Sequence, residues 1–92
     1  GLKKEMAGAL TTQGSSLYKQ NDYSEAIKYY FKSLKINEEI EDKKGIAASL
    51  HSVGATYKKL GEYDKAIEFY VKGLKIWEEI KDKKGLAKSL SN

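Results

Sequence analysis

His51 is the only histidine in this 92-residue sequence, and with it the only side chain whose ordinary titration range suits acid–base work near neutrality. A metal-ligand or acid–base pair on a helix needs a partner three or four positions on. Those positions hold Gly54 and Ala55, so no such pair is local, and a groove-lining or exposed histidine is expected. Glu38 with Glu39, and Glu78 with Glu79, are adjacent carboxylates of the kind hydrolases use. They sit among lysines late in a helical pattern and read instead as a solvated ion-pair face. Cysteine is absent, which removes disulfides, thiolate zinc sites and iron–sulfur clusters. No nucleophile, base and orienting group can be assembled, so neither enzyme activity nor a metal or cofactor is expected.

Lysine is the other repeated chemistry. Lys3–Lys4, Lys43–Lys44 and Lys83–Lys84 recur every 40 residues and would form a positive row along one edge, where RNA or an acidic protein could lie. Arginine, the usual bidentate phosphate and base reader, is absent. The net charge of +4 comes from 17 basic residues interspersed with 13 acidic ones, a mixed surface. Nucleic-acid binding is therefore the weaker reading.

The elements that position these groups are internal repeats. Ile36 to Gly45 returns as Ile76 to Gly85, an offset of 40 residues. The same offset pairs Ala7 with Ala47, Leu10 with Leu50, Gly14 with Gly54, Tyr23 with Tyr63, Ala26 with Ala66, Tyr30 with Tyr70 and Leu34 with Leu74. Periods of ~20–50 residues mark solenoids and arrays. Apolar residues recur at helical spacing, first at Ile46, Leu50, Val53, Tyr57 and Leu60, then at Tyr63, Ala66, Ile67, Tyr70, Leu74 and Trp77. The chain has no proline and no strand-like alternation, so it is expected to be all-α: one domain over 1–92, with a helix pair at 3–41, a second at 42–81 and the start of a third unit at 82–92. Gly61 and Asn21 suit left-handed helix ends. Asp22 with Glu25 resembles a capping box, and Asp42 and Asp82 could cap the helices that follow them. Gly45 and Gly85 fit either a first helical turn or the bend itself.

Leu50, Gly54, Tyr57, Gly61, Tyr63, Ala66 and Tyr70, with Leu10, Gly14, Leu17, Asn21, Tyr23, Ala26 and Tyr30 before them, resemble the tetratricopeptide repeat family over nearly the whole chain. The resemblance implies a right-handed alpha-alpha superhelix, a solenoid of stacked helix pairs that serves as a protein-binding scaffold. Two departures are plain. The family's tryptophan is Leu10 or Leu50, and its proline near the end of the second helix is Glu38 or Glu78. Without that proline nothing forces the helix to stop, which accounts for a longer period than the usual ~34. This is similar to the longer-repeat branch, whose members often form regulatory or scaffold regions of larger proteins. The family's carboxylate clamp would fall on Thr11, Ser15, Ser52, Lys88 and Asn92, and only Lys88 is a cation of the expected kind, which argues against capture of a C-terminal carboxylate.

First helices of such pairs line the concave face. The expected peptide-binding side chains are Thr11, Thr12, Ser15, Tyr18 and Lys19 in the first unit, Ala48, His51, Ser52, Ala55, Lys58 and Lys59 in the second, and Lys88 in the third. Small residues leave room for a backbone or a helix, hydroxyls can bond it, and lysines favour acidic side chains. Trp77 is expected to be half exposed because Asn37 is its counterpart. The partial third unit should leave Leu86 and Leu90 on a helix that packs on the second unit with one apolar side uncovered. Copies of the chain would then associate end to end or exchange terminal helices, making a homo-oligomer the alternative role. The opening residue, Gly1, suggests a fragment of a longer protein. No apolar run fits a signal peptide or membrane helix, and a cytoplasmic protein is expected.

Overall fold

The computed structural model describes the backbone of residues 1–91 and the side chains of residues 1–81. Its elements are α1 (Leu2–Lys19), α2 (Tyr23–Glu39), α3 (Lys43–Lys59) and α4 (Tyr63–Ser91), with no strand among the described residues. Each helix packs on the next, α1 on α2, α2 on α3 and α3 on α4, so the chain is a serial stack of antiparallel hairpins.

One turn geometry makes all three junctions. After α1, the Asn21 and Asp22 amides donate back to the Tyr18 and Leu17 carbonyls at 3.0 and 2.9 Å. After α2, Glu41 and Asp42 do the same to Glu38 and Asn37. After α3, Gly61 and Glu62 reach Lys58 and Tyr57. This is the Schellman motif, which satisfies the last carbonyls at the expense of one residue in the left-handed region. That residue is Asn21 (φ 66°), Glu41 (φ 55°) or Gly61 (φ 83°), as the sequence suggested for the first and third. Glu41 is the strained member, because a Cβ crowds its own backbone there.

The two candidate caps behave differently. Asp42 Oδ1 accepts from the Gly45 amide at 3.2 Å, which places Gly45 inside the first turn of α3. Asp22 makes no side-chain cap, so the expected capping box does not form. Its return bond would need the Asp22 amide, which is already given to Leu17, and Glu25 is instead held by Lys28 at 3.0 Å.

Close helix approach explains the small residues of each pair. A Cβ added at Gly14 would lie 2.8 Å from the Tyr30 ring, and one at Gly54 would lie 3.0 Å from that of Tyr70. Ala26 and Val53 are fully enclosed, with Tyr30 between them, and Leu17, Ile27, Phe31 and Tyr57 pack around this centre. Phe31, Tyr57 and Phe69 tie α2, α3 and α4 together, with Phe69 stacked on Tyr57 and edge-on to Phe31, both at 5.6 Å.

The fourth junction is not made. Turns close at 17–22, 37–42 and 57–62, so the same spacing places the next at 77–82, with Lys81 in the left-handed position. Instead α4 runs unbroken for 29 residues, about 43 Å, through the bend expected at Lys81 and Asp82. Glu41 carries the same strain, but its turn brings α3 back onto α2. At Lys81 the helix continues, which avoids the strain and keeps its hydrogen bonds. The expected return of a third helix onto the second unit is therefore not found. The side chains of Leu86, Lys88 and Leu90, and Asn92 entirely, lie outside the described residues.

Two substitutions test this reading by urea or thermal unfolding. Glu41→Gly relieves the left-handed strain and should stabilise the chain by about 1 kcal/mol, or ~4–8 °C in Tm. Gly14→Ala should destabilise it by about 1–3 kcal/mol despite alanine's better helix propensity, because the buried Tyr30 ring must move.

Candidate functional site

The residues expected on the binding face separate into groups. Tyr18, at the end of α1, meets Ala55, Lys58 and Lys59 of α3 around one depression that Tyr63 and Tyr70 complete. Thr11 and Ala48 border a second depression with Lys4, Gly8, Asn37 and Asp42. Both lie in the furrow between α1 and α3, which therefore runs from Lys4 at one end to Lys58 and Lys59 at the other. Small side chains keep it open: Gly8 and Ala48 are exposed and Ala55 is half-buried.

Not every hydroxyl assigned to this face is free for a ligand. Thr11 Oγ1 donates to the Ala7 carbonyl at 3.0 Å and lies 2.7 Å from Ser33 Oγ on α2. Ser15 Oγ is 3.2 Å from the Tyr30 phenol. These two sit at helical spacing on the edge between groove and core, and their hydroxyls stitch α1 to α2. Thr12 is exposed, with its hydroxyl bonded to the Gly8 carbonyl one turn back. Lys19 is exposed and Ser52 half-buried.

His51 lines a neighbouring depression with Tyr70, Gly73, Leu74 and Trp77, its ring 5.2 Å from that of Tyr70, which also lines the furrow. No group of three His, Asp or Glu side chains that could hold a metal ion occurs among the described residues. One carboxylate of each pair forms an ion pair, Glu39 with Lys3 at 3.3 Å and Glu79 with Lys43 at 3.0 Å. Those contacts set a carboxylate beside the first lysine of two repeated pairs, which makes the row mixed in charge.

Four buried polar residues were not legible as such in the sequence: Ser33, Asn37, Ser49 and Thr56. Asn37 Nδ2 donates to Ser49 Oγ at 3.2 Å, and Ser33 Oγ donates to the Ala7 carbonyl at 3.0 Å. Asn37 is only 5% exposed, which corrects the premise used for Trp77, although Trp77 itself is 43% exposed. The repeat offset was the available signal: a position is interior wherever another helix follows and open where none does.

A sequence profile described as tetratricopeptide repeat matches residues 5–79. The chain belongs to the tetratricopeptide repeat family. Comparison with curated proteins found no match. Tetratricopeptide repeats generally mediate protein–protein interactions and serve as non-catalytic scaffolds. The Gly14–Tyr30 and Gly54–Tyr70 contacts give the repeat motif its packing reason here. No helix among the described residues is long and apolar enough to cross a membrane.

Stability separates the hydroxyls that hold the fold from those open to a ligand. Thr11→Val and Ser15→Ala should each destabilise the chain by about 1 kcal/mol, since each removes a half-buried hydrogen bond. Thr12→Ala should stay within ~0.5 kcal/mol, because its hydroxyl bonds only its own helix at the surface. Urea titration of the three variants reads the difference.

Proposed function

We propose that this tetratricopeptide repeat binds an acidic peptide segment of a partner protein, extended or helical, along the furrow between α1 and α3. The observation that carries this reading is the pairing of two depressions in one furrow, with lysines at both ends and Tyr18, Tyr63 and Tyr70 beside the second. Phenol rings supply rigid contact area and Gly8, Ala48 and Ala55 admit a backbone closely. Lys4, Lys58 and Lys59 are exposed and would steer acidic side chains toward the furrow. The site then comprises Tyr18, Lys19, Ala48, Ser52, Ala55, Lys58 and Lys59, with Thr12 at its exposed rim. Thr11 and Ser15 act as its supporting edge.

Nucleic-acid binding is the weaker alternative, because Glu39 and Glu79 hold Lys3 and Lys43. A cytoplasmic setting belongs to the same proposal.

Selection of a random peptide library displayed on phage against the 92-residue chain tests the reading. Enriched sequences should carry Asp or Glu flanking an apolar residue. Their synthetic peptides should lose at least tenfold in affinity for the Ser52→Glu, Ala55→Glu, Lys59→Glu variant, measured by fluorescence polarisation, with the helical circular dichroism unchanged. Equal affinity for the folded variant would sink the assignment of this face.

A further inference from the structure

α2 and α4 carry the same stripe of side chains in opposite circumstances. On α2, Leu34 is 8% exposed and Asn37 5%, because α3 lies over them. Forty residues on, Leu74 is 58% and Trp77 43% exposed. Ile67 is 59% and Val71 44% exposed, whereas their counterparts Ile27 and Phe31 pack against the core. α4 thus presents, bare, the surface that the first unit covers with α3.

The covering sequence is in the chain but not in reach. Residues 83–90 read Lys-Lys-Gly-Leu-Ala-Lys-Ser-Leu against Lys-Lys-Gly-Ile-Ala-Ala-Ser-Leu at 43–50, the opening of the helix that buries α2. They continue the axis of α4, and a straight helix cannot pack on its own side. Two features of the junction favour the straight form. Lys81 offers no relief from left-handed strain. A Cβ at Gly45 would already lie 2.6 Å from the Asn37 side chain, so the far larger indole of Trp77 does not fit the closed turn seen at 37–45.

We propose that two copies of this chain exchange the C-terminal ends of α4, residues 83–91 of each lying across Val71, Leu74 and Trp77 of the other. The exchange keeps the antiparallel sense that α3 has on α2, so the two long helices cross antiparallel about a twofold axis near Lys81. Such a contact is isologous and closes on itself as a dimer. At the ends of that register the charges are complementary, with Glu78 of each copy opposite Lys84 of the other. Two bare faces and two covering segments bring the buried area to the order of the ~1,200–2,000 Å² that stable interfaces need. This surface is separate from the α1–α3 furrow, and the proposal stands whether or not that furrow binds peptide.

Light scattering coupled to gel filtration, from about 1 µM to 1 mM, reads the mass. The expected result is a rise from 10.3 kDa toward twice that value. Val71→Glu with Leu74→Glu, at exposed positions, should weaken the dimer at least tenfold with helicity retained. Trp77→Asn with Lys81→Gly restores a turn like those at the other junctions and should give a monomer. Because the chain has no cysteine, Trp77→Cys chains mixed with Gly85→Cys chains and mildly oxidised report the exchange directly. A disulfide joining position 77 of one chain to 85 of the other should outnumber both like-with-like products. A strict monomer at 1 mM would overturn the proposal, whether its α4 face is covered by its own folded-back end or left for another protein. So would a dimer indifferent to the glutamates, or one without the 77-to-85 link.

Discussion

Tyrosine against glycine is the contact from which the stack is built. Tyr30 on α2 reaches the bare backbone of α1 at Gly14, and Tyr70 on α4 does the same to α3 at Gly54. A glycine inside a helix loses ~1 kcal/mol of propensity relative to alanine, so its presence needs a compensating approach. The ring supplies it by filling the space a Cβ would occupy, drawing the axes of each hairpin together. With that approach set, Ala26 and Ala66 are enclosed between helices, and Phe31, Tyr57 and Phe69 close the gap between units. The hydroxyls of Thr11 and Ser15 then fall within bonding distance of Ser33 and Tyr30, which ties the edge of the furrow to α2.

Three turns of one kind set the pitch of the array, and their uneven quality decides where it opens. Gly61 and Asn21 take the left-handed position readily. Glu41 takes it under strain, offset by the burial of Leu34 and Asn37 beneath α3. At Lys81 the strain has no such offset and the helix continues. A solenoid unit is thus defined by its neighbour as much as by its own residues: the stripe that is core on α2 is surface on α4. The concave residues fall into neighbouring depressions: Tyr18, Ala55, Lys58 and Lys59 line one and His51 the next, with Tyr70 shared between them and Trp77 beside His51.

Much of this architecture was legible in the residues. A 40-residue offset, helical spacing of apolar positions, and Gly61 and Asn21 at helix ends specified paired helices and two of the three turns between them, since local propensity and turn chemistry agreed. The site was legible only as a face. Helical spacing places Thr11 and Thr12 side by side and cannot say which hydroxyl reaches across to Ser33. Asn37 looked like a surface residue because its type is polar, and Asp22 looked like a cap because its local sequence is right. In each case a partner distant in sequence, or a competing backbone bond at the same amide, made the choice.

The sequence by itself determined the class of structure: helices, paired, repeated, tight at Gly14 and Gly54, without the groups that chemistry would need. Those properties follow from side-chain type and spacing within one or two helical turns. Tertiary structure alone decided which of the repeated positions are interior, which hydroxyls and lysines are already engaged, and that the helix continues beyond Lys81. Burial and strain are balanced against contacts with a neighbouring helix, and a residue cannot encode whether that neighbour is there.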